Sequence, residues 1–345
     1  MKTDIILVGT LFERNGSGVP EMNENFYNYM KTAAWVSKVD IMKKSEERFT
    51  IRNKIFSRNL ELLELRKVLR NKNIHVMHTI DLCSTFPVLD FSKIAKKRIV
   101  TVHDFYPFVR KMNNGLLNSV NDLLKRKCYK YLKHYDHVIV RSVEAAEVLS
   151  QKFSVSPEKI SVQGPIIDYS YEPLKIYKDE KEKVIIGYIN NFTWNKSAML
   201  KHFINVFKSI SSDDIELHIY GKGFPFEDLI RGDPRIKYNG FLDSNAFHQT
   251  LASFDAYLST STYEGFGIPI AKAKAMKIPV LCYDGDLPAI TKNNTCLWNE
   301  QNLRSLIKEK HWEMIDTEKA YSDIKSLRPE VVVHQTKEIY DNVFS

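Results

Sequence analysis

The chain has 345 residues, and at roughly 100–200 residues per domain that length predicts two domains rather than one oversized core. Its 43% hydrophobic and 27% charged residues, with 13 Gly and 12 Pro, exclude collagen-like, low-complexity and wholly disordered classes. Fifty Lys and Arg against 42 Asp and Glu leave a formal charge of +8, which favours an anionic ligand or surface without saying which.

At the N-terminus, Ile5-Ile6-Leu7-Val8 is too short for a signal segment or a membrane span, and no spanning run occurs later. Strands are predicted at 4–8, 74–78, 98–102 and 137–140, with helices near 20–36, 55–71, 113–133 and 143–151 between them. The polar stretch 169–183 reads as a linker. The alternation then restarts, with strands at 184–189, 215–220, 236–238, 256–258 and 279–282 and helices near 197–210, 243–253 and 267–277. Two successive α/β units with doubly wound parallel sheets follow from this pattern. Cys83, Cys128, Cys282 and Cys296 form no C-x-x-C pair, which excludes a zinc knuckle or disulfide framework and suits a reducing cytoplasm.

In such sheets ligands bind beyond the carboxyl ends of strands, where free N–H groups at helix starts favour anions. Four places meet that condition. Gly16-Ser17-Gly18 precedes a Pro-started helix with a Met22, Phe26 and Met30 stripe, so it is either a phosphate loop or an ordinary capped turn. Glu21 and Glu24 in that first turn count against phosphate. Val102-His103-Asp104 ends an apolar strand and ranks above His75 and His78. Gly221-Lys222-Gly223 leaves another strand, where glycines allow a tight exit and the lysine reaches for an anion. The most informative is Glu264-Gly265-Phe266-Gly267-Ile268-Pro269, where a carboxylate for sugar hydroxyls stands beside the helix-start amides of Gly267 and Ile268, suited to a diphosphate.

In this order these motifs resemble the retaining glycosyltransferases of family 4, as do Gly240-Phe241 and Phe254-Asp255. The resemblance spans nearly the whole chain and implies a GT-B fold of two Rossmann-like lobes facing a cleft. The lobes would run over 1–168 and 184–328, with a terminal helix over 329–345 returning to the first. It implies a metal-independent hexosyl transfer from a nucleotide-diphosphate sugar, a co-substrate with no further cofactor, to a saccharide or lipid-linked acceptor. Gly16 and the following backbone would meet the donor phosphate, His103 would lie at donor or acceptor sugar, Lys196 would pair with the diphosphate, and Glu264 would hold sugar hydroxyls.

The departures are equally specific. Lys272 stands where a second, ribose-binding glutamate is usual, and Asn190 or Asn191 stands where a phosphate-binding arginine is usual. Lys277 replaces a usual Gly, and Ala289 stands where an acid often follows proline. A lysine accepts no hydrogen bond from a ribose diol, so nucleotide recognition should be altered, with Lys272 or Lys222 as the compensating cation. The rival reading is a weakened or inactive glycosyltransferase-like protein that binds a glycan or supports a partner.

Asp284-Gly285-Asp286 imitates a metal-binding D-x-D motif but reads better as a Gly turn after a strand. Apolar positions from Leu116 to Tyr135 recur at helical spacing opposite Lys125, Arg126, Lys130 and Lys133, a face suited to solvent or to peripheral contact at the inner face of a membrane. The dispersed basic residues and the absence of a recognisable motif argue against nucleic acid, and no G-x-G-x-x-G supports a dehydrogenase.

Overall fold

The computed structural model describes residues 3–8, 18–42, 74–80, 82, 95–105, 108, 126–167 and 183–345. They form two compact units, Met1–Ile166 with Pro329–Ser345, and Ile167–Arg328. The expected linker and the helix near 55–71 fall outside the described residues, apart from Lys183.

The first unit contains β1 (Thr3–Val8), α1 (Gly18–Thr32), β2 (Val36–Met42), β3 (Ile74–Thr79), β4 (Ala95–Val102), β5 (His137–Val140), α2 (Val143–Phe153) and β6 (Ile160–Val162). Its strands make a parallel sheet in the order β2-β1-β3-β4-β5-β6. Alternation along the strands separates two cores. Ile5, Leu7, Val76, Ile99 and Ile139 face Phe26 and Met30 of α1 and Val332, Ile339 and Tyr340 of the terminal helix Pro329–Phe344. Val100, Val102, Val138 and Val140 pack against Tyr129, Leu132 and Leu149 on the other side.

The first helix stops at Thr32 rather than 36, because Val36–Met42 pairs in parallel with β1 as an edge strand. Within it Lys38-Val39-Asp40-Ile41 alternates polar and apolar residues, the period of a strand rather than of a helix.

Two polar clips hold the terminal helix to this unit. Gln163 Nε2 donates to Val332 O (3.1 Å) and Thr336 Oγ1 (3.0 Å). His78, wholly buried, bonds through Nδ1 to the Tyr340 hydroxyl (2.7 Å) and through Nε2 to Thr101 Oγ1 (2.8 Å). Burial first, then the nearby Arg141 charge, push His78 from 6.5 down to about 3, so it is neutral when folded. An unfolded chain takes up this proton below pH 6.5 and the folded one does not, so stability falls with pH between 6.5 and about 3. Urea unfolding followed by circular dichroism should show a loss of about 1.4 kcal/mol per pH unit from this group. His78→Gln should remove that share and leave the smaller one from His137, whose pKa burial also lowers.

The second unit runs β7 (Val184–Ile189), α3 (Leu200–Lys208), β8 (Ile215–Tyr220), α4 (Glu227–Ile230), β9 (Ile236–Tyr238), α5 (Ser244–Ala252), β10 (Ala256–Ser259), α6 (Ile268–Ala275), β11 (Val280–Tyr283), α7 (Ala289–Lys292), β12 (Cys296–Trp298), α8 (Leu303–Lys308) and α9 (Thr317–Asp323). The sheet is again parallel, ordered β12-β11-β10-β7-β8-β9. Its two faces pack around Phe203, Phe207 and Trp298 on one side and Leu251, Phe254 and Ile270 on the other.

Gly187 sits in the middle of β7 because a Cβ there would lie 2.0 Å from the Phe254 ring. Next to that ring, Asp255 Oδ2 accepts from Ile185 N at 2.6 Å, so Phe254-Asp255 sets how β10 lies against β7.

Candidate functional site

In the second sheet the chain leaves β7 for β8 and β9 on one side, then crosses to β10, β11 and β12 on the other. The reversal lies between β7 and β10, and there the two connections diverge and leave a crevice at the carboxyl ends. Lys196 lies in the loop after β7 and Glu264 in the loop after β10, so the two flank this reversal.

Hydrogen bonds join the two loops. Thr262 N donates to Asn195 O (2.9 Å), Asn195 Nδ2 to Tyr263 O (2.8 Å), and Thr260 Oγ1 to Lys196 O (2.7 Å). Lys196 Nζ stands 3.9 Å from Glu264 Oε1, which also accepts from Ser261 Oγ at 2.9 Å. The Glu264 side chain is 10% exposed and that of Lys196 26%, so solvent screens this pair less than a surface ion pair.

Three residues on, Gly267 caps α6 with φ +90°, a conformation that favours glycine. Pro269 follows in the first turn. The N–H groups at such a start have no carbonyl one turn earlier and carry the positive end of the helix dipole. A carboxylate, an ammonium and a helix start therefore stand together, able to take hydroxyls and an oxyanion side by side.

The turn after β11 closes the site from behind. Glu264 N donates to Asp286 O at 3.2 Å, and a Cβ on Gly285 would lie 2.8 Å from the carbonyls of Ser261 and Thr262. Asp284 pairs with Lys292 at 2.5 Å. Asp284-Gly285-Asp286 thus backs the Glu264 loop as a tight turn. No group of three or more His, Cys, Asp or Glu side chains among the described residues is placed to hold a metal ion.

The loops after β7 and β8 also meet. A Cβ on Gly221 would lie 2.2 Å from Asn190 O, and Gly221 N donates to Gly240 O at 2.8 Å. This close approach sets Gly221, exposed Lys222 and Gly223 beside Asn190 and Asn191. Asn190 Oδ1 accepts from Asn191 N at 3.0 Å, so these side chains shape the loop where the resemblance implied an arginine.

Two of the expected donor contacts face inward. Phe266 is buried among Ile167, Ala271, Ile324 and Leu327, so only its backbone is available to a ligand. Lys272 is 8% exposed, with its ammonium 4.6 Å above the Phe247 ring on α5, which makes it part of the α5–α6 packing. Gly265, Gly267 and Ile268 remain at the helix start beside Glu264.

The remaining expected residues belong to the first unit. Gly16 and Ser17 lie outside the described residues, and Gly18 begins α1. His103 follows β4 at its carboxyl end. Its Nε2 donates to Ile80 O at 2.7 Å, since a carbonyl only accepts, so Nδ1 carries the lone pair and accepts from Arg141 Nε at 3.3 Å. Of the basic helix from Leu116 to Tyr135, helix is described over 126–130, with Arg126 5.5 Å above the Phe108 ring.

Sequence reasoning gave Ser261 no role of its own and passed over Asn195 and Arg141, although Arg141 carried a signal: a cation directly after the buried strand β5 and directly before a Ser cap.

Comparison with known proteins agrees with this fold. A family model described as Glycosyltransferase Family 4 matches residues 39–171, and one described as Glycosyl transferases group 1 matches residues 183–310. No curated protein matches by sequence. Among solved structures, sucrose-phosphate synthase from Thermosynechococcus elongatus is similar at a TM-score of 0.77 and 14% identity, covering 99% of each chain. The lipopolysaccharide outer core galactosyltransferase WaaB is similar at 0.71 and 12% identity, again over 99% of each chain. HepE from Anabaena, solved with UDP and glucose, is similar at 0.70 and 13% identity over 98% of this chain and 99% of its own. With two glycosyltransferase models matched in succession over more than half of the sequence, and two parallel-sheet units of GT-B type beneath them, the chain is a glycosyltransferase of the family 4 kind.

Proposed function

We propose that the second unit binds a nucleotide-diphosphate sugar at the carboxyl ends of β7 and β10, and that its hexose passes with retention, and without a metal ion, to a saccharide or lipid-linked acceptor. The observation that carries this reading is the Lys196–Glu264 pair beside the Gly267 helix start. In the reaction the bond from the anomeric carbon to the diphosphate breaks and one to an acceptor hydroxyl oxygen forms, and the hydroxyl proton leaves with the diphosphate. Negative charge grows on the departing oxygens, where Lys196 and the amides of Gly267 and Ile268 oppose it. Glu264 orients the donor hydroxyls. Because HepE was solved with UDP and glucose, UDP-glucose is the first donor to test.

The test incubates the full chain with UDP- and GDP-sugars and with saccharide or lipid-linked acceptors, and follows products by mass spectrometry and the anomeric proton by NMR. Transfer with the donor's anomeric configuration kept, and unchanged by EDTA, is the expected result. An inverted product or EDTA-sensitive transfer overturns the mechanism. With acceptor supplied in anionic liposomes, transfer that falls as salt rises reports peripheral contact with an anionic membrane surface. No helix of the described residues is long and apolar enough to cross a membrane.

A second reading, a weakened transferase that binds a glycan, is favoured by Lys272, which stands at the sequence position of a usual ribose-binding glutamate and is held over the Phe247 ring. Absence of hydrolysis and transfer across all donors, with saccharide binding retained, would select it.

A further inference from the structure

Lys196 and Glu264 sit on loops that leave different strands, so their separation depends on what ties one loop to the other. Much of that tie is one side chain. Asn195 is 4% exposed and directly precedes the half-buried Lys196 in the turn after β7. Its Nδ2 donates at 2.8 Å to the carbonyl of Tyr263, which is 68 residues further along the chain and directly precedes Glu264. Its Oδ1 accepts from Thr193 Oγ1 at 3.0 Å within its own turn, and its backbone carbonyl accepts from Thr262 N at 2.9 Å.

The chemistry of these bonds fixes which way the amide points. Turned over, it would set Oδ1 against the Tyr263 carbonyl, two acceptors with no proton between them. Each turn is also braced on its own side. Ser197 closes the first, its N and Oγ both donating to Thr193 O (3.0 and 2.8 Å). Tyr263 pairs with Asp286 in the second, and Glu264 N donates to Asp286 O. The bonded pair Asn195–Tyr263 therefore stands immediately before the charged pair Lys196–Glu264 on both chain segments. Lys196 Nζ and Glu264 Oε1 are 3.9 Å apart, whereas a charge-assisted hydrogen bond is about 2.7–2.9 Å long, so the two groups stand side by side without closing on each other. A loop free to shift would let them close, and each would then spend on the other the charge that a diphosphate or a sugar hydroxyl needs.

We propose that Asn195 is the positioning residue of the donor site, and that its amide sets the spacing of Lys196 and Glu264 by clipping the Lys196 turn to the Tyr263 carbonyl. It acts through Lys196 rather than on the donor itself. This deepens the reading above and rests on that reading's donor site.

The test is a double-mutant cycle in the full chain, read by isothermal titration with UDP and by initial-rate transfer. Asn195→Ala should weaken UDP binding and lower kcat by at least about tenfold each, since a misplacement of about 1 Å costs up to about 100-fold, while the KM for acceptor stays within about twofold. In the Lys196→Ala background the same substitution should weaken UDP binding by less than about twofold, because the group it positions is gone. Equal costs in the two backgrounds overturn the proposal, as does wild-type transfer by Asn195→Ala. Should Asn195→Ala not fold, Asn195→Asp runs the same cycle, since it keeps the shape and loses the donor to Tyr263 O: non-additive losses support the clip and wild-type activity refutes it. Amide hydrogen exchange at Thr262 separates this result from the donor reading. In Asn195→Ala it should quicken at least about tenfold at an unchanged thermal midpoint, and an unchanged rate refutes the clip whatever the activity. Quickened exchange in a chain whose wild type neither binds UDP nor transfers hexose would support the clip and sink the donor reading.

Discussion

Glu264→Gln should lower sugar transfer by at least about 100-fold while leaving the fold intact. The carboxylate accepts from Ser261 and faces Lys196 at 3.9 Å, and in the proposed complex it also accepts from donor hydroxyls. An amide of the same size keeps one acceptor oxygen, turns the other into a donor, and removes the charge that makes these bonds strong. Each charge-assisted bond contributes about 1.5–3 kcal/mol, and about 1.4 kcal/mol is a factor of ten in rate, so two weakened contacts account for two decades or more. Lys196→Ala should lose a comparable factor and also weaken UDP binding. The measurement is initial-rate transfer on protein whose circular dichroism and thermal midpoint match the wild type, and full activity in Glu264→Gln would remove the site from the mechanism.

Lys274→Ala should cost the second unit about 3 kcal/mol of stability, the largest expected effect of a single polar truncation there. Its side chain is wholly enclosed, and its ammonium donates to Ile290 O (3.0 Å), Asn293 O (2.6 Å) and Asp323 Oδ2 (3.3 Å). Burial pulls its pKa down and Asp323 pulls it back, the balance expected of a charge kept for its partners. Truncation leaves two carbonyls and a carboxylate without this donor as well as a cavity, although Asn294 Nδ2 still serves Asp323. Tryptophan fluorescence suits the measurement, because Trp298 and Trp312 are both buried in this unit. A loss below about 1 kcal/mol in urea unfolding would show that the three bonds are replaced by water at little cost.

The sequence revealed the sheets where strands are buried on both faces. Ile5 to Val8, Ile186 to Ile189 and Val138 to Val140 form continuous apolar runs because helices cover both sides. Two edge strands escaped notice, Ile160–Val162 and Cys296–Trp298, with three residues each and too few to show a period, whereas the equally short edge strand Ile236–Tyr238 was predicted. Short helices such as Glu227–Ile230 and Ala289–Lys292 were equally unreadable at four residues.

At the candidate site, Glu264 and Gly267 were legible because they follow a strand and open a helix, whereas Lys196 came only from the family resemblance. The cations Lys272, Lys274 and Arg141 were not, since a charged letter reads as surface unless its partners are known. Those partners lie far along the chain, with Asp323 49 residues beyond Lys274 and Gln163 22 beyond Arg141.

The terminal helix imposes an order on synthesis. Tyr340 and Thr336 complete the first unit, yet the whole of Ile167–Arg328 is translated before them. On the ribosome, the sheet face that will receive this helix beside α1 therefore lacks part of its cover while the second unit emerges. Vectorial folding should finish the later-made unit first and seal the earlier-made one last.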